Sequence, residues 1–238
     1  MKDQLGARMK EQYEDRTRYF LPRRTYTIIR IDGKAFHTLT RVQKCEKPFD
    51  EKLMMAMAEA GKYVCSEVQG AQFGYIQSDE CSILLTDFSK ESSESWFNSN
   101  LQKMCSVSAS LFTAKFNKIY EPEILAMFDS RIFTIPDPVE VENYFVWRQK
   151  DAERNSIISV AQSHYSHKEL QGKSCSQMQD MIHEKGDNWN NYKIREKRGL
   201  LIEKGLADGF WSINLECPIF TKNPEFFETH IPKWGYNK

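Results

Sequence analysis

The sequence predicts an α+β fold in which two helices cover one face of an antiparallel sheet. Short runs of β-branched and aromatic residues alternate with two long segments that carry apolar residues at steps of three and four. Their order along the chain is β-α-β-β-α-β, the split βαβ or ferredoxin-like arrangement. The length of 238 residues and the hydrophobic content of 40% suit one sizeable domain, or one domain with an extension.

The first half of the chain supplies these elements. We predict a strand over 25–32, a helix over 50–68, strands over 72–77 and 81–86, a helix over 97–119 and a strand over 124–135. Asp50 is the expected N-cap of the first helix, because it precedes the apolar stripe that begins at Leu53. Pro136 closes the last strand.

After Pro136 the pattern changes to long helical segments. We predict helices over 138–165 and 167–185, with possible strands over 200–205 and 211–216. The expected organisation is a palm-like catalytic unit over 1–136 and a helical extension over 137–238 that packs on it.

Two acidic turns predict a metal site. Asp32-Gly33 ends the first strand, and Asp79-Glu80 lies at the tip of the central hairpin. In the ferredoxin-like arrangement these two points lie side by side, so Asp32 and Asp79 are expected to converge. Carboxylate oxygens suit Mg²⁺, and substrate phosphates complete its coordination shell. Two such ions about 4 Å apart support phosphoryl transfer, so the residues predict nucleotidyl transfer or another triphosphate reaction.

Ordinary structural roles stay open for both turns. Asp-Gly after a strand is common as a plain turn, and Ser-Asp-Glu at a hairpin tip is common as a solvated loop. In favour of a site, Gly33 would let the backbone approach a triphosphate and Lys34 would add a positive charge.

Composition restricts the partners and the cellular compartment that we expect for the protein. The formal net charge is zero, which neither requires nor excludes a nucleic-acid partner. No segment approaches the roughly 18 apolar residues of a membrane span, and the charged N-terminus is unlike a signal peptide. The six cysteines form no Cys-x-x-Cys pair, so we expect reduced thiols, a cytoplasmic protein and no structural zinc.

Four stretches together resemble the tRNA-histidine guanylyltransferase family and its guanylyltransferase-like relatives. They are RIDGKAFH (30–37), YIQSDECS (75–82), FDSR (128–131) and YFVWRQKDAERNSI (144–157), in the order and at about the spacing of the family. The resemblance implies a polymerase-like palm that adds nucleotides in the 3′-to-5′ direction to the 5′ end of tRNA. ATP or GTP would activate the 5′-phosphate, and the 3′-hydroxyl of an incoming nucleoside triphosphate would then displace the nucleoside monophosphate.

The resemblance also implies roles for individual residues. Asp32, Gly33 and Asp79 would hold two Mg²⁺ ions, with Glu80 as a catalytic helper. The nucleotide-binding residues would be Asp32, Gly33, Lys34, Ala35, Phe36, His37, Lys47, Asp50, Ser78, Asp79, Lys103 and Arg131. For Lys103 a solvated helix lysine is the alternative, whereas Arg131 in an apolar strand asks for an anionic partner.

The expected RNA contacts lie in the second half. They are Arg148, Arg154, Asn155, Lys197 and Arg198, the last two within a basic-glycine stretch that resembles one in the family. A solvated helix with alternating charge is the alternative. By resemblance the protein would be a homo-oligomer, a tetramer.

One departure from the family bears on specificity. Eukaryotic members carry His-Ile-Asn-Asn soon after Trp-Arg-Gln, whereas this chain has Glu153-Arg154-Asn155-Ser156. The loss of that histidine favours the guanylyltransferase-like branch, which resembles template-dependent enzymes that repair 5′-truncated tRNAs. The alternatives are strict addition of G to tRNA-His, a nucleotide cyclase on the same palm, and a non-catalytic tRNA binder.

Overall fold

The computed structural model describes residues 3–205 and 209–234. Its strands are β1 (Tyr26–Gly33), β2 (Ala71–Gln77), β3 (Glu80–Leu85), β4 (Phe128–Ile135), β5 (Leu200–Lys204) and β6 (Trp211–Asn214). They form one six-stranded sheet in the order β4-β1-β3-β2-β5-β6, and each neighbouring pair is antiparallel.

Helices lie on both faces of this sheet. The α-helices of the described ranges are α1 (Gln4–Met9), α2 (Phe36–Val42), α3 (Glu51–Glu67), α4 (Leu101–Tyr120), α5 (Pro138–His164), α6 (His167–Leu170), α7 (Cys175–Glu184), α8 (Ile194–Arg198) and α9 (Pro224–His230). None of these helices is long and apolar enough to cross a membrane.

The predicted order of the first half is confirmed as β1-α3-β2-β3-α4-β4. Asp50 caps α3 by accepting a 2.8 Å hydrogen bond from the Leu53 N–H. β4 begins at Phe128 rather than at 124. The side chain of Asn117 explains this difference, because it donates to the carbonyl of Ala126 and accepts from its N–H, both at 2.9 Å, and ties that segment to α4.

Alternation along the strands separates two cores. On one face, residues such as Ile29, Ile31 and Ile83 pack against α3 and α4. On the other, Tyr26 and Ile28 pack with residues of α5 and α9. Asp32 and its register partner Glu80 lie on this second face, because Asp32 alternates with Ile31.

The second half of the chain contributes to the same sheet. β5 pairs with β2, and β6 pairs with β5, which confirms strands in the two predicted segments. The predicted helix over 167–185 is two helices, α6 and α7, separated by Gly172 at a positive φ of 76°. The second half is therefore mixed rather than wholly helical, and a division of the chain at residue 136 stays a prediction.

Candidate active site

The end of β1 and the tip of the β2–β3 hairpin meet at one edge of the sheet. The Gly33 N–H donates a 3.0 Å hydrogen bond to the carbonyl of Asp79. A Cβ atom on residue 33 would lie 2.4 Å from Cδ2 of Phe36 and 3.0 Å from Oδ2 of Asp79. Only glycine therefore allows this close approach, which brings the carboxylates of Asp32 and Asp79 to one place.

The two carboxylates differ in their surroundings. Burial raises the pKa of Asp79, and the negative charge of Asp32 raises it further. Within the described part of the chain, no lysine or arginine forms an ion pair with Asp79. Asp32 has a cationic neighbour in Arg131, whose Nη2 lies 3.3 Å from its Oδ2.

This donor set fits a divalent cation that is completed by its substrate. A half-buried carboxylate without a cationic partner favours a bound cation, and oxygen ligands suit Mg²⁺. Residues 3–205 and 209–234 contain no group of three or more His, Cys, Asp or Glu arranged to hold a metal by themselves. Asp32 and Asp79 would therefore hold Mg²⁺ together with phosphate oxygens and water.

The backbone after β1 is less available to phosphates than the sequence suggested. The Gly33 N–H is bonded to Asp79, and the Lys34 N–H donates at 2.8 Å to the carbonyl of Met127. Ala35 then adopts a left-handed conformation with φ of 52° and leads into α2. Contacts between backbone N–H groups and phosphates would have to start at Ala35.

Glu80 differs from its neighbour Asp79 in that its charge is fully paired. It is 3% exposed, and Arg148 from α5 donates to its two carboxylate oxygens at 2.7 and 2.6 Å. Arg30 lies 2.7 Å from its Oε2. With both oxygens paired with guanidinium groups, Glu80 is not free to bind a metal in this conformation, and its part as a catalytic helper stays a prediction.

A pocket of about 720 Å³ opens beside the carboxylates. It is enclosed by α2, the 45–50 loop, the start of α3, the hairpin tip, α5 and α8. Its apolar lining includes Phe36, Leu53, Met54, Ile76 and Leu200, and its basic lining is Arg41, Lys44, Lys47, Arg195 and Lys197. Ser78, next to Asp79 at the hairpin tip, also lines it. An apolar cavity of this size with a cationic rim can hold a nucleobase and its phosphates.

Residues predicted for two different roles converge on this pocket. Of the expected nucleotide contacts, Phe36, His37, Lys47, Asp50 and Ser78 line it, and so do Asn155 and Lys197 from the expected RNA set. Asp50 is occupied, since its second oxygen accepts a 3.0 Å hydrogen bond from the Glu46 N–H in addition to the Leu53 bond that caps α3. Asp50 therefore shapes the 45–50 loop.

Comparison with known proteins agrees with this geometry. A family model described as "Thg1: tRNAHis guanylyltransferase" matches residues 6–136, more than half of the chain. The chain belongs to the tRNA(His) guanylyltransferase family. The family's named enzymes are nucleotidyltransferases, and this chain is an enzyme of that class.

Relatives of known sequence and structure cover most of the chain. The tRNA(His) guanylyltransferase of Eremothecium gossypii is 31% identical over 203 residues, 76% of this chain and 83% of that protein. A structure named "Bacterial tRNA(HIS) Guanylyltransferase (Thg1)-Like Protein in complex with ATP" is 44% identical, with a TM-score of 0.88, and covers 95% of this chain and 98% of that one. The Saccharomyces cerevisiae enzyme is 26% identical with a TM-score of 0.70, covering 82% and 91%.

Most of the side chains that were predicted to contact RNA are buried or partly buried in this guanylyltransferase-family protein. Arg148 is buried against Glu80, which excludes an RNA contact in this conformation. Lys197 is 7% exposed and donates a 2.6 Å hydrogen bond to the carbonyl of Asn190. Arg198 pairs with Glu153 at 3.0 Å. Arg154 alone is well exposed, with its guanidinium bonded to Asp151.

Two further basic predictions concern Arg131 and Lys103. An anionic partner was predicted for Arg131, and its guanidinium lies 3.3 Å from the carboxylate of Asp32 and 3.6 Å from that of Asp129. Lys103 is exposed near the start of α4, and its contact with the triphosphate stays a prediction.

Sequence reasoning missed part of the basic lining and both partners of Glu80. Arg41 follows His37 by a helical step of four, so one face of α2 carried the signal, whereas Lys44 lies just beyond the end of the helix. Arg30 occupies the same face of β1 as Asp32, and Arg148 lies on the stripe of α5 that also contains Val141 and Phe145. An arginine on such a buried stripe indicates a buried anion.

Proposed function

We propose that this enzyme adds nucleotides in the 3′-to-5′ direction to the 5′ end of tRNA, and that the opposite strand selects the nucleotide. The observation that carries the proposal is the meeting of pocket and carboxylates at the hairpin tip, where Ser78 lines the pocket and Asp79 stands beside Asp32. A nucleotide held in the pocket would present its phosphates to both carboxylates.

The pocket supplies binding for a nucleoside triphosphate. The rings and aliphatic side chains at Phe36, Leu53 and Met54 suit a base, and the cations of Lys44 and Lys47 suit phosphates. The neighbouring structures titled as complexes with ATP and with GTP support both as ligands, at 44% and 42% identity.

We propose Mg²⁺ as the metal, held by the carboxylates of Asp32 and Asp79. When bound, it neutralises charge on the reacting phosphate and lowers the pKa of an attacking oxygen. The chain's own contribution is to hold these two carboxylates together through the Gly33–Asp79 hydrogen bond and to place cations around the leaving phosphates.

The proposed reaction has two transfers. First, an oxygen of the tRNA 5′-phosphate attacks the α-phosphorus of ATP or GTP, and pyrophosphate leaves. The 3′-hydroxyl of the next nucleoside triphosphate then attacks the activated 5′-phosphorus, loses its proton, and releases AMP or GMP. Lys47 and Arg41 line the pocket and would stabilise negative charge on the departing phosphates.

Template dependence is supported by two features of this chain. Its similarity to the bacterial Thg1-like structures extends over at least 95% of its residues. By the resemblance, Glu153 stands where eukaryotic members carry a histidine, and its carboxylate pairs with Arg198 at 3.0 Å. Strict addition of G to tRNA-His is the second candidate, supported by the names of the curated relatives.

A primer-end assay distinguishes the two candidates. A 5′-monophosphorylated tRNA that lacks its first nucleotide is incubated with Mg²⁺, ATP and each nucleoside triphosphate in turn, on two templates that differ only in the base opposite the gap. We expect the added nucleotide to follow the template base. Addition of G alone, on tRNA-His alone and on either template, would establish the strict enzyme instead. No addition with any substrate would overturn both.

We also propose a cytoplasmic homotetramer. The six cysteines are free thiols, as expected in a reducing compartment. Exposed apolar side chains at Leu5, Met9, Tyr13 and Tyr19 offer surface that an assembly could cover. Mass measurement by light scattering checks the tetramer, and a monomeric mass at micromolar concentration would contradict it.

A further inference from the structure

A buried group of charges lies directly behind the carboxylate edge. Arg148 on α5 and Glu80 on β3 are each 3% exposed, and their fork-to-fork hydrogen bonds measure 2.7 and 2.6 Å. Arg30 on β1 adds a third charge, 2.7 Å from Oε2 of Glu80. We refer to Arg30, Glu80 and Arg148 as the charge triad.

The charge triad contacts both segments that carry the proposed metal ligands. Glu80 follows Asp79 in the chain and is the register partner of Asp32 across β1 and β3. Arg30 precedes Asp32 by two residues on the same face, and its Nη2 lies 4.0 Å from Oδ2 of Asp32. A displacement of Glu80 would therefore move the hairpin tip and the end of β1 together.

Neighbouring groups complete the surroundings of the charge triad. Arg148 also donates to Asp151 at 2.9 Å, and the Ser82 hydroxyl lies 3.2 Å from Oε1 of Glu80 and 2.7 Å from the hydroxyl of Tyr144. The ring of Trp147 stacks on the Arg148 guanidinium at 4.4 Å. Every oxygen of Glu80 thus has a donor, so its position is fixed in both distance and rotation.

Stability alone is a weak reason to keep such charges. Well-packed apolar residues often replace a buried ion pair without loss of stability, because desolvation of the charges costs as much as their attraction returns. Fixed geometry is a stronger reason, since a misplacement of about 1 Å at reacting groups can lower a rate a hundredfold.

We propose that Arg148 is a positioning residue for nucleotide transfer: through Glu80 and Arg30 it fixes the separation of Asp32 and Asp79, and Glu80 acts as its counter-ion rather than as a metal ligand. This inference rests on the proposed nucleotidyl transfer but not on the choice of template. It links α5, in the second half of the chain, to the two acids of the first half.

A double-mutant cycle tests the proposal. Glu80→Gln, Arg148→Met and the double variant are compared with wild type for kcat and KM of nucleotide addition, and for nucleotide Kd by calorimetry. We expect each single variant to lower kcat by about ten- to a hundredfold with Kd changed less than about twofold. The double variant should be no slower than the slower single variant, because both changes break one unit.

A conservative variant and a surface variant serve as controls for the double-mutant cycle. Arg148→Lys keeps the charge but loses the paired hydrogen bonds that the guanidinium donates to Glu80. Its kcat should therefore lie between those of wild type and Arg148→Met. Lys150→Met, an exposed change on the same helix, should leave kcat unchanged. If Arg148→Met does not fold, as judged by circular dichroism, Arg148→Lys decides by the same criterion.

Two results would overturn the inference. Wild-type kcat in Arg148→Lys and Arg148→Met would show that the charge triad is dispensable. Independent, multiplicative losses in the double variant would show that Glu80 acts by itself at the reacting atoms. Failure of the wild-type enzyme to transfer any nucleotide would instead count against the proposed function.

Discussion

The two faces of the central sheet are built from alternate residues of the same strands, yet they have different roles. On the α3–α4 face, β1 presents Ile29 and Ile31, which are completely buried among other apolar side chains. On the α5 face, β1 presents Ile28 and then Arg30 and Asp32. The second face is therefore apolar at one end and charged at the end where the hairpin tip lies.

This difference shows how one strand carries a core and a site with little interference between them. The α3–α4 face gains most of its stability from apolar burial, and its buried Ser108 hydroxyl is satisfied by Ser130 at 2.8 Å. At the charged end of the other face Glu80 is paired, whereas Asp79, at the adjacent hairpin tip, is half-buried and has no cationic partner among the described residues. A functional carboxylate of this kind lowers stability in the free protein and becomes favourable only with its ligand.

Asp79→Asn tests this interpretation of the charged face with the largest expected effect on rate. Loss of the negative charge should lower nucleotide addition roughly 10²–10³-fold, because the charge of the transferred phosphate is no longer balanced. The free energy of unfolding should stay the same or rise, because a desolvated anion has been removed. Addition kinetics and thermal unfolding of the same preparation check the two expectations.

Asp129→Asn is the matched control, since Asp129 lies in β4 opposite Asp32 and its side chain is 59% exposed. Its rate of addition should stay within about threefold of wild type, in line with the small contribution of an exposed pair. Equal losses of rate in Asp79→Asn and Asp129→Asn would mean that activity depends on the net charge at this edge of the sheet rather than on Asp79 itself. A strongly destabilised Asp79→Asn would show a structural carboxylate.

Phe112→Ala tests the apolar face. Phe112 is completely buried, and its ring centroid lies 4.7 Å from that of Phe128. The cavity and lost burial should lower the free energy of unfolding by about 3–5 kcal/mol. The kcat of the folded fraction should be unchanged at low temperature. Denaturant unfolding and single-turnover kinetics measure the two quantities, and a large fall in kcat of folded enzyme would show that the two faces are not independent.

Asp50→Ala examines the pocket between the faces. Loss of the cap of α3 should lower the free energy of unfolding by about 1 kcal/mol. Because Asp50 also holds the Glu46 N–H, the 45–50 loop should loosen and the nucleotide KM should rise with kcat little changed. Asp50→Ser restores one cap bond but not both, so it should recover stability more than KM. A fall in kcat with unchanged KM would contradict a binding role for this loop.

Local pattern was enough to predict the order of elements and the convergence of Asp32 with Asp79. Strand alternation, the Asp50 cap and the apolar stripes of α3 and α4 are properties of short sequence windows, and the connection order restricts how they assemble. The meeting of two acids that lie 47 positions apart follows from that order together with the narrow approach at Gly33.

The partners of the basic residues could not be predicted in the same way. Arg148 and Lys197 carry the composition of an RNA-binding surface, but their burial depends on how α5 and α8 pack on the sheet. Long-range packing, rather than local propensity, fixes these outcomes, and a single sequence does not report it.

Glu153→Gln compares two ion pairs along α5 and has the smallest expected effect. Arg148–Glu80 is buried, whereas the side chains of Arg198 and Glu153 are 17% and 32% exposed. Breaking the more exposed pair should change the free energy of unfolding by less than about 1 kcal/mol. It should release Arg198 for phosphate, so tRNA affinity should rise a few-fold and its salt dependence should steepen by about one phosphate contact.

Filter binding over a salt series measures the affinity and its salt dependence. The double variant Glu153→Gln/Arg198→Met is the control, and it should return the slope to the wild-type value. An unchanged slope in Glu153→Gln would mean that Arg198 stays away from the RNA even when its partner is neutral, because the packing of α8 rather than the ion pair holds it.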